Sequence, residues 1–140
     1  KGEKVVMRNN EFKFSYRNSN LNEGIVLSGL FNTKYGNKDE IQGKLNMIRE
    51  QRKISQPITT KTSGSSFKNP IGYHAAKLIE MAGCRGLKVG DAIVSSKHSN
   101  FLINTNKATA EQIENLGKLI IEKVYNKFQI MLEWEIKIIG

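Results

Sequence analysis

The first third of the chain carries short apolar runs typical of strands, followed by a pattern typical of a helix. KVVMR at 4–8 and EFKFSY at 11–16 flank an Asn-Asn turn pair and predict two short strands. GIVLSGLFNT at 24–33 is nearly apolar throughout, which predicts a third strand buried on both faces. From 39 to 53, apolar residues recur at helical spacing, so we expect an amphipathic helix with a charged outer face.

The middle of the chain predicts a short helix and two strands beyond a long polar loop. The stretch from 57 to 70 has no hydrophobic period, and we place the main boundary of the chain near its start. Residues 75–82 have one apolar side and are followed by a glycine, which predicts a short helix that ends there. Residues 87–95 predict a strand interrupted by a glycine, and 101–105 predict a short buried strand.

The end of the chain predicts a long helix and a final strand. Thr109 and Gln112 have the spacing of a capping box, so we expect a helix to begin there. In 130–139 apolar residues alternate with charged ones, which predicts a half-buried strand with Glu133 and Glu135 on its other face. Together these elements predict an α+β fold.

Length and charge narrow the class of protein. With 140 residues, the chain is long enough for about one domain with its own core. Its net charge is +9, with 11 Lys/Arg against 6 Asp/Glu in residues 1–60 and 11 against 7 in residues 61–140. An evenly basic surface attracts anionic partners, such as nucleic acid, a nucleotide-sugar or an acidic membrane face, and charge alone does not choose among them.

Several kinds of site are excluded because their motifs are absent. The sequence has no G-x-G-x-x-G between a strand and a helix and no Walker A loop. With two histidines and the single Cys84, it has neither metal-ligand spacing nor an intramolecular disulfide, so we predict no metal site. A triad of Ser65, His98 and Asp91 lacks the G-x-S-x-G elbow. No apolar run is long enough to cross a membrane, and we expect no membrane partner.

One motif keeps an RNA-binding alternative open. GCRG at 83–86 is a GxxG that follows a predicted helix in a basic chain, as in the KH loop that clamps an RNA backbone. A KH loop leads into a second helix, whereas the residues after 86 predict a strand. We retain a KH-like RNA-binding module as the alternative function, while the main interpretation has no nucleic-acid partner.

Four short segments resemble one enzyme family, although each is unspecific alone. They are SYRNS at 15–19, GSSFKNP at 64–70, the run from 75 to 104, and LEWEIKIIG at 132–140. In this order and spacing they resemble the C-terminal half of UDP-N-acetylenolpyruvoylglucosamine reductases. The Ser-Lys-His-x-Asn run resembles the shorter-chain class of that family, which lacks an inserted loop over the substrate.

The resemblance implies a domain organisation. Residues 1–55 would be the end of a flavin-binding domain, and 56–140 a small mixed α/β substrate-binding domain whose last strand, 130–139, returns to the flavin side. The chain lacks an initiator Met and opens almost at once on a strand-like run, which predicts a piece cut from a longer protein. The implied partners are a nucleotide-sugar substrate and the missing N-terminal flavin domains.

The resemblance also implies roles for eight residues. The implied catalytic residues are Arg17, Ser65 and Glu135. The implied substrate-binding residues are Tyr16, Lys68, Asn69, His98 and Asn100. The sequence departs from the family pattern at three positions: Trp134 stands where proline is usual, Lys137 where arginine is common, and Ser55 where a lysine can stand.

The implied activity is the NADPH-dependent reduction of UDP-N-acetylglucosamine enolpyruvate to UDP-N-acetylmuramate, in peptidoglycan precursor synthesis. The family uses FAD and NADPH and would act in the bacterial cytoplasm. In this interpretation the chain is the substrate half of the enzyme. It would not retain flavin by itself and would be inactive in isolation.

Overall fold

The computed structural model describes residues 2–21 and 24–139. The chain divides into two compact units, Lys1–Gly36 and Asn37–Gly140. Its helices and small antiparallel sheets confirm the predicted α+β class. Among the described residues, no helix is long and apolar enough to cross a membrane.

The first unit contains a short hairpin instead of the two predicted strands. Asn9–Glu11 form a 3-10 turn, and β1 (Phe14–Ser15) pairs with β2 (Asn18–Ser19). The prediction of a strand at 4–8 is wrong. The Arg8 N–H donates to the Glu11 carboxylate at 2.6 Å, a local bond that favours a turn over strand pairing.

The apolar run at 24–33 also differs from its prediction, since it forms no strand. No described segment pairs with it. Without a paired neighbour, the backbone N–H and C=O groups of a buried strand would have no hydrogen-bond partners, so burial of this run is unfavourable. Its side chains are exposed, with Ile25 at 87% and Leu30 at 101% of full exposure. A buried strand needs pairing partners, and the described residues of this unit provide none for 24–33.

The second unit begins with the predicted amphipathic helix, α1 (Lys38–Ser55). The Asn37 side chain accepts the N–H groups of Asp39 and Glu40 and so caps its first turn. None of its described side chains is buried, and Ile41, Leu45 and Ile48 remain about half exposed. The helical period therefore predicted the helix correctly but not a covered apolar face.

The core of the second unit lies between helices and a three-stranded sheet of order β3-β4-β5. Its elements are α2 (Ala75–Met81), β3 (Lys88–Val89), β4 (Ala92–Val94), β5 (Leu102–Asn104) and α3 (Ala110–Phe128). The predicted single strand at 87–95 is a hairpin, because Gly90 takes a φ of +57° and reverses the chain between Val89 and Ala92. The helix ending before Gly83 and the strand near 101–105 are confirmed.

Helix α3 begins at the predicted capping box. The Thr109 side chain accepts the Gln112 N–H, and the Gln112 side chain accepts the Thr109 N–H. Leu116, Ile120 and Val124 are fully buried on its core face.

The predicted final strand at 130–139 is reduced to a short pairing. Only Trp134 forms a bridge, with Phe67, and the two rings stack with centroids 4.7 Å apart. The chain bends after Trp134, at Glu135 and Ile136, so the alternating pattern beyond it finds no partner among the described residues. Leu132 is nevertheless buried in the core, as the alternation predicts.

Candidate active site

The loop at 62–70 is the centre of the candidate site. Gly64 has a φ of +92°, a conformation that residues with a side chain rarely adopt. Its N–H donates to the Thr62 hydroxyl at 3.3 Å, and the half-buried Ser65 follows directly. The loop thus turns on a glycine and then presents a serine.

After the turn, the loop runs as an extended segment between two others. On one side, the Ser66 N–H donates to the Asn100 carbonyl at 2.8 Å, and Ser65 forms a bridge with Phe101. On the other side, the Glu135 N–H donates to the Ser66 carbonyl at 2.8 Å. The backbone of Glu135 is thereby bonded to Ser66, which directly follows Ser65, so the two predicted catalytic residues lie on neighbouring paired segments.

The predicted substrate-binding residues of this loop also have structural partners. The Lys68 ammonium lies 3.2 Å from a Glu133 carboxylate oxygen, in an ion pair that is largely exposed. The Asn69 side-chain oxygen accepts the Ala75 N–H at 2.9 Å and so ties the loop to the start of α2. An exposed ion pair contributes little to stability, so Lys68 can exchange Glu133 for an anionic ligand at small cost.

His98 lies in the neighbouring loop, with its ring edge against Phe101 at a centroid distance of 4.8 Å. The Ser95 hydroxyl accepts the His98 N–H, and His98 Nδ1 accepts the Asn100 N–H at 3.3 Å. Burial lowers the pKa of His98 from its ordinary value of 6.5. Both the burial and the role of Nδ1 as an acceptor favour the neutral ring.

We expect acid to destabilise the domain partly through His98. Since its pKa is lowered on folding, the neutral ring stabilises the fold above pH 6.5, and this contribution is lost as the pH falls from 6.5 through the lower folded value. Urea unfolding across that range should show a smaller loss of free energy of unfolding for His98→Gln. The exposed His74→Gln is the matched control, and an unchanged pH slope in His98→Gln would contradict the prediction.

Tyr16 and Arg17 lie in the first unit, at the turn between β1 and β2. Arg17 has a φ of +56°, which costs about 1–2 kcal/mol for a residue with a side chain. Its guanidinium lies 5.7 Å from the centre of the Tyr16 ring. The two-residue turn between Ser15 and Asn18 accounts for this conformation, and the catalytic role of Arg17 stays a prediction.

Sequence reasoning missed three features around the loop. Ser66 is fully buried, and its hydroxyl has no hydrogen-bond partner among the described residues. Gly117, in the middle of α3, lies under the Trp134 ring, where an added Cβ would overlap the ring. Asn100 binds the backbone of Phe67 through its side chain. Only Gly117 had a visible signal, since glycine inside an amphipathic helix needs a packing reason.

Two other predictions can be compared with the described residues. Within them, no group of three or more His, Cys, Asp or Glu side chains could hold a metal ion. The KH-like alternative is not supported, because GCRG leads into β3 and not into a helix. Its Arg85 is engaged with the Ser96 carbonyl at 2.6 Å and with a Glu80 carboxylate oxygen at 2.7 Å.

Comparisons with known proteins identify the family of this chain. Residues 56–139 match the family model described as UDP-N-acetylenolpyruvoylglucosamine reductase, C-terminal domain. The UDP-N-acetylenolpyruvoylglucosamine reductase of Novosphingobium aromaticivorans is 47% identical over 140 residues, which are 99% of this chain and 47% of that protein. The one of Anaplasma marginale is 43% identical over the same share of this chain and 47% of its own length.

A solved structure shows the same likeness. The crystal structure of UDP-N-acetylenolpyruvylglucosamine reductase (MurB) from Thermus caldophilus matches with a TM-score of 0.60 and 37% identity, over 73% of this chain and 36% of that one. This chain spans about half the length of the curated relatives it matches. The chain belongs to the UDP-N-acetylenolpyruvoylglucosamine reductase (MurB) family and contains its C-terminal domain.

Proposed function

We propose that this chain is the substrate-binding half of an NADPH- and FAD-dependent enzyme that reduces UDP-N-acetylglucosamine enolpyruvate to UDP-N-acetylmuramate. The observation that carries the proposal is the backbone pairing of the segment that contains Ser65 with the segment that contains Glu135, through the Glu135 N–H and the Ser66 carbonyl. The two residues come from segments seventy positions apart in the sequence, and together they offer a hydroxyl and a carboxyl group. Peptidoglycan precursor synthesis in the bacterial cytoplasm is the setting that this activity implies.

The proposed division of the chain is a flavin-domain remnant at 1–55 and a substrate domain at 56–140, with 130–139 reaching the flavin side. The family model, which begins at residue 56, supports this boundary. Contacts within the chain place α1 with the second unit, since the division lies at 36. The boundary at 56 is that of the family's domain, whereas the division at 36 reflects contacts within this chain.

A flavin needs a deep pocket that covers most of its surface. In the first unit, none of the residues described at 2–21 and 24–36 is buried. The described residues of this unit therefore do not fit a flavin by themselves. We propose that the N-terminal half of the enzyme, which the relatives have in addition, holds FAD and receives electrons from NADPH.

This chain's residues are proposed to stabilise a negative charge that develops on the substrate and to donate a proton to it. A flavin held elsewhere in the enzyme would supply a hydride to the enolpyruvyl double bond, and negative charge would then develop on the neighbouring carbon and its carboxylate. Arg17 would stabilise this charge directly. Glu135 would have to be protonated or hydrogen-bonded to help, because a bare carboxylate would repel the charge.

Ser65 is the proposed proton donor to the carbanion carbon. A serine hydroxyl is a weak acid, but a carbanion is a strong base, so the transfer is favourable. The absence of a side chain at Gly64 would let the substrate approach the backbone, because no described residue other than its two chain neighbours has a heavy atom within 4 Å of where its Cβ would be. Lys68, Asn69 and His98, with Tyr16, would provide donors to the diphosphate and the sugar.

The activity is tested with the full-length protein. NADPH oxidation that depends on UDP-N-acetylglucosamine enolpyruvate and yields UDP-N-acetylmuramate is the expected result. Oxidation that occurs equally without the nucleotide-sugar, with no product formed, would overturn the proposal.

The isolated 140-residue chain gives a second test, of where the flavin binds. After incubation with excess FAD and desalting, we expect no visible flavin absorbance and no NADPH oxidation. Amide signals of the loops at 64–70 and 95–100 should still shift on adding the nucleotide-sugar, since both loops belong to the intact second unit. A retained flavin band would mean that the flavin site lies within this chain.

A further inference from the structure

The side chain of Asn100 holds Phe67 as the backbone of a neighbouring strand would. Its amide oxygen accepts the Phe67 N–H at 3.0 Å, and its amide nitrogen donates to the Phe67 carbonyl at 2.8 Å. Both residues are almost completely buried, Asn100 at 4% and Phe67 at 1% exposure. One side chain thus satisfies both backbone polar groups of a residue 33 positions away.

These two hydrogen bonds from the Asn100 side chain add to two backbone contacts that Asn100 and Phe101 make with the residues before Phe67. The Asn100 carbonyl accepts the Ser66 N–H, and Phe101 forms a bridge with Ser65. Three consecutive residues, Ser65 to Phe67, are therefore fixed by two consecutive residues of the other loop. The position of the Ser65 hydroxyl depends directly on this arrangement.

We propose that Asn100 is a positioning residue for Ser65 and acts through Phe67, without contacting the substrate. The proposal rests on the proposed function, since it concerns the same proton transfer. An amide has further hydrogen-bonding capacity, but a side chain exposed by only 4% offers little of it to a ligand. The family resemblance implied substrate binding by Asn100. Loss of a substrate-binding residue would weaken affinity for the nucleotide-sugar, whereas loss of a positioning residue would lower turnover.

Asn100→Ala leaves two buried backbone groups of Phe67 without partners. We expect turnover of the full-length enzyme to fall on the order of 10²-fold, the effect of displacing a reacting group by about 1 Å. Affinity for the nucleotide-sugar and reduction of the flavin by NADPH should stay near the wild-type values. Asn106→Ala, an exposed asparagine of the same domain, is the control and should change nothing.

A double mutant separates positioning from binding. If Asn100 acts through Ser65, Asn100→Ala should cost nothing further in a Ser65→Ala enzyme, because the group that it positions is already gone. Additive losses, or a weakened affinity for the nucleotide-sugar, would overturn the proposal and assign Asn100 to substrate binding. An inactive wild-type enzyme would instead refute the proposed function.

Asn100→Asp tests the same idea in a variant that keeps the shape of the side chain. A neutral carboxyl group can accept from the Phe67 N–H and donate to its carbonyl, whereas the ionised group cannot donate. Burial should raise the pKa of the new carboxyl group, so activity relative to wild type should recover as the pH falls. Measuring wild type at each pH cancels the titration of the adjacent His98. A constant ratio across the range would contradict the proposal even if Asn100→Ala failed to fold.

Discussion

Turnover of the full-length enzyme should fall by about 10²–10⁴-fold in Ser65→Ala, the usual contribution of a general acid. The hydroxyl follows the glycine turn and is held by pairing with Phe101, so its removal takes away a fixed proton donor without changing the backbone. Stopped-flow measurement should show flavin reduction by NADPH at the wild-type rate, because that step does not use the substrate's proton donor.

Ser66→Ala is the matched control, one residue away. The Ser66 hydroxyl is buried and has no hydrogen-bond partner in the part of the chain that the structure describes. Leaving such a group unsatisfied costs about 1–3 kcal/mol. Its removal should leave turnover nearly unchanged and leave the free energy of unfolding unchanged or higher. Equal losses of activity in the two variants would mean that the shape of the loop, and not the Ser65 hydroxyl, matters for the reaction.

The helices of this chain could be predicted because their signals are local. The Thr109–Gln112 capping box and the apolar period of α1 lie within a few residues of the structure that they specify. Strands could be predicted less well, since a strand exists only where another segment pairs with it. The apolar run at 24–33 has the composition of a buried strand, yet it finds no partner among the described residues.

The resemblance proposes the site residues, but it does not predict their arrangement. GSSFKNP marks Ser65 and LEWE marks Glu135, whereas the hydrogen bonds that join them through Ser66 connect segments far apart in the sequence. For the same reason, nothing near Asn100 in the sequence indicates that its side chain holds Phe67. Contacts of this kind follow from the tertiary fold, which local patterns do not determine.

The glycine at position 117, inside helix α3, is explained by its contact with the Trp134 ring. Glycine inside a helix is destabilising by about 0.5–1 kcal/mol relative to alanine. Here the space of the missing side chain is filled by the ring of Trp134, which in turn stacks on Phe67 behind Ser65. The tryptophan that departs from the family pattern at this position is thus accommodated by a glycine on the facing helix.

Gly117→Ala should destabilise the domain by about 1–3 kcal/mol, the usual cost of overpacking a core. The new methyl group would overlap three atoms of the Trp134 ring, so the ring must leave its place against Phe67. Trp134 is the single tryptophan of the chain, and its fluorescence emission should shift to the red as the ring becomes more exposed. Urea unfolding followed by circular dichroism measures the change in free energy.

The sign of the effect should reverse when the ring is removed. A Trp134→Leu background removes the three ring atoms nearest to the new methyl group, and Gly117→Ala should then stabilise α3 by roughly 0.5–1 kcal/mol through helix propensity. The comparison is made between the two backgrounds, so the cost of losing the Phe67 stacking cancels. Equal destabilisation in both would show that Gly117 is needed for a reason other than the Trp134 ring, since a clash with that ring cannot persist once the ring is gone.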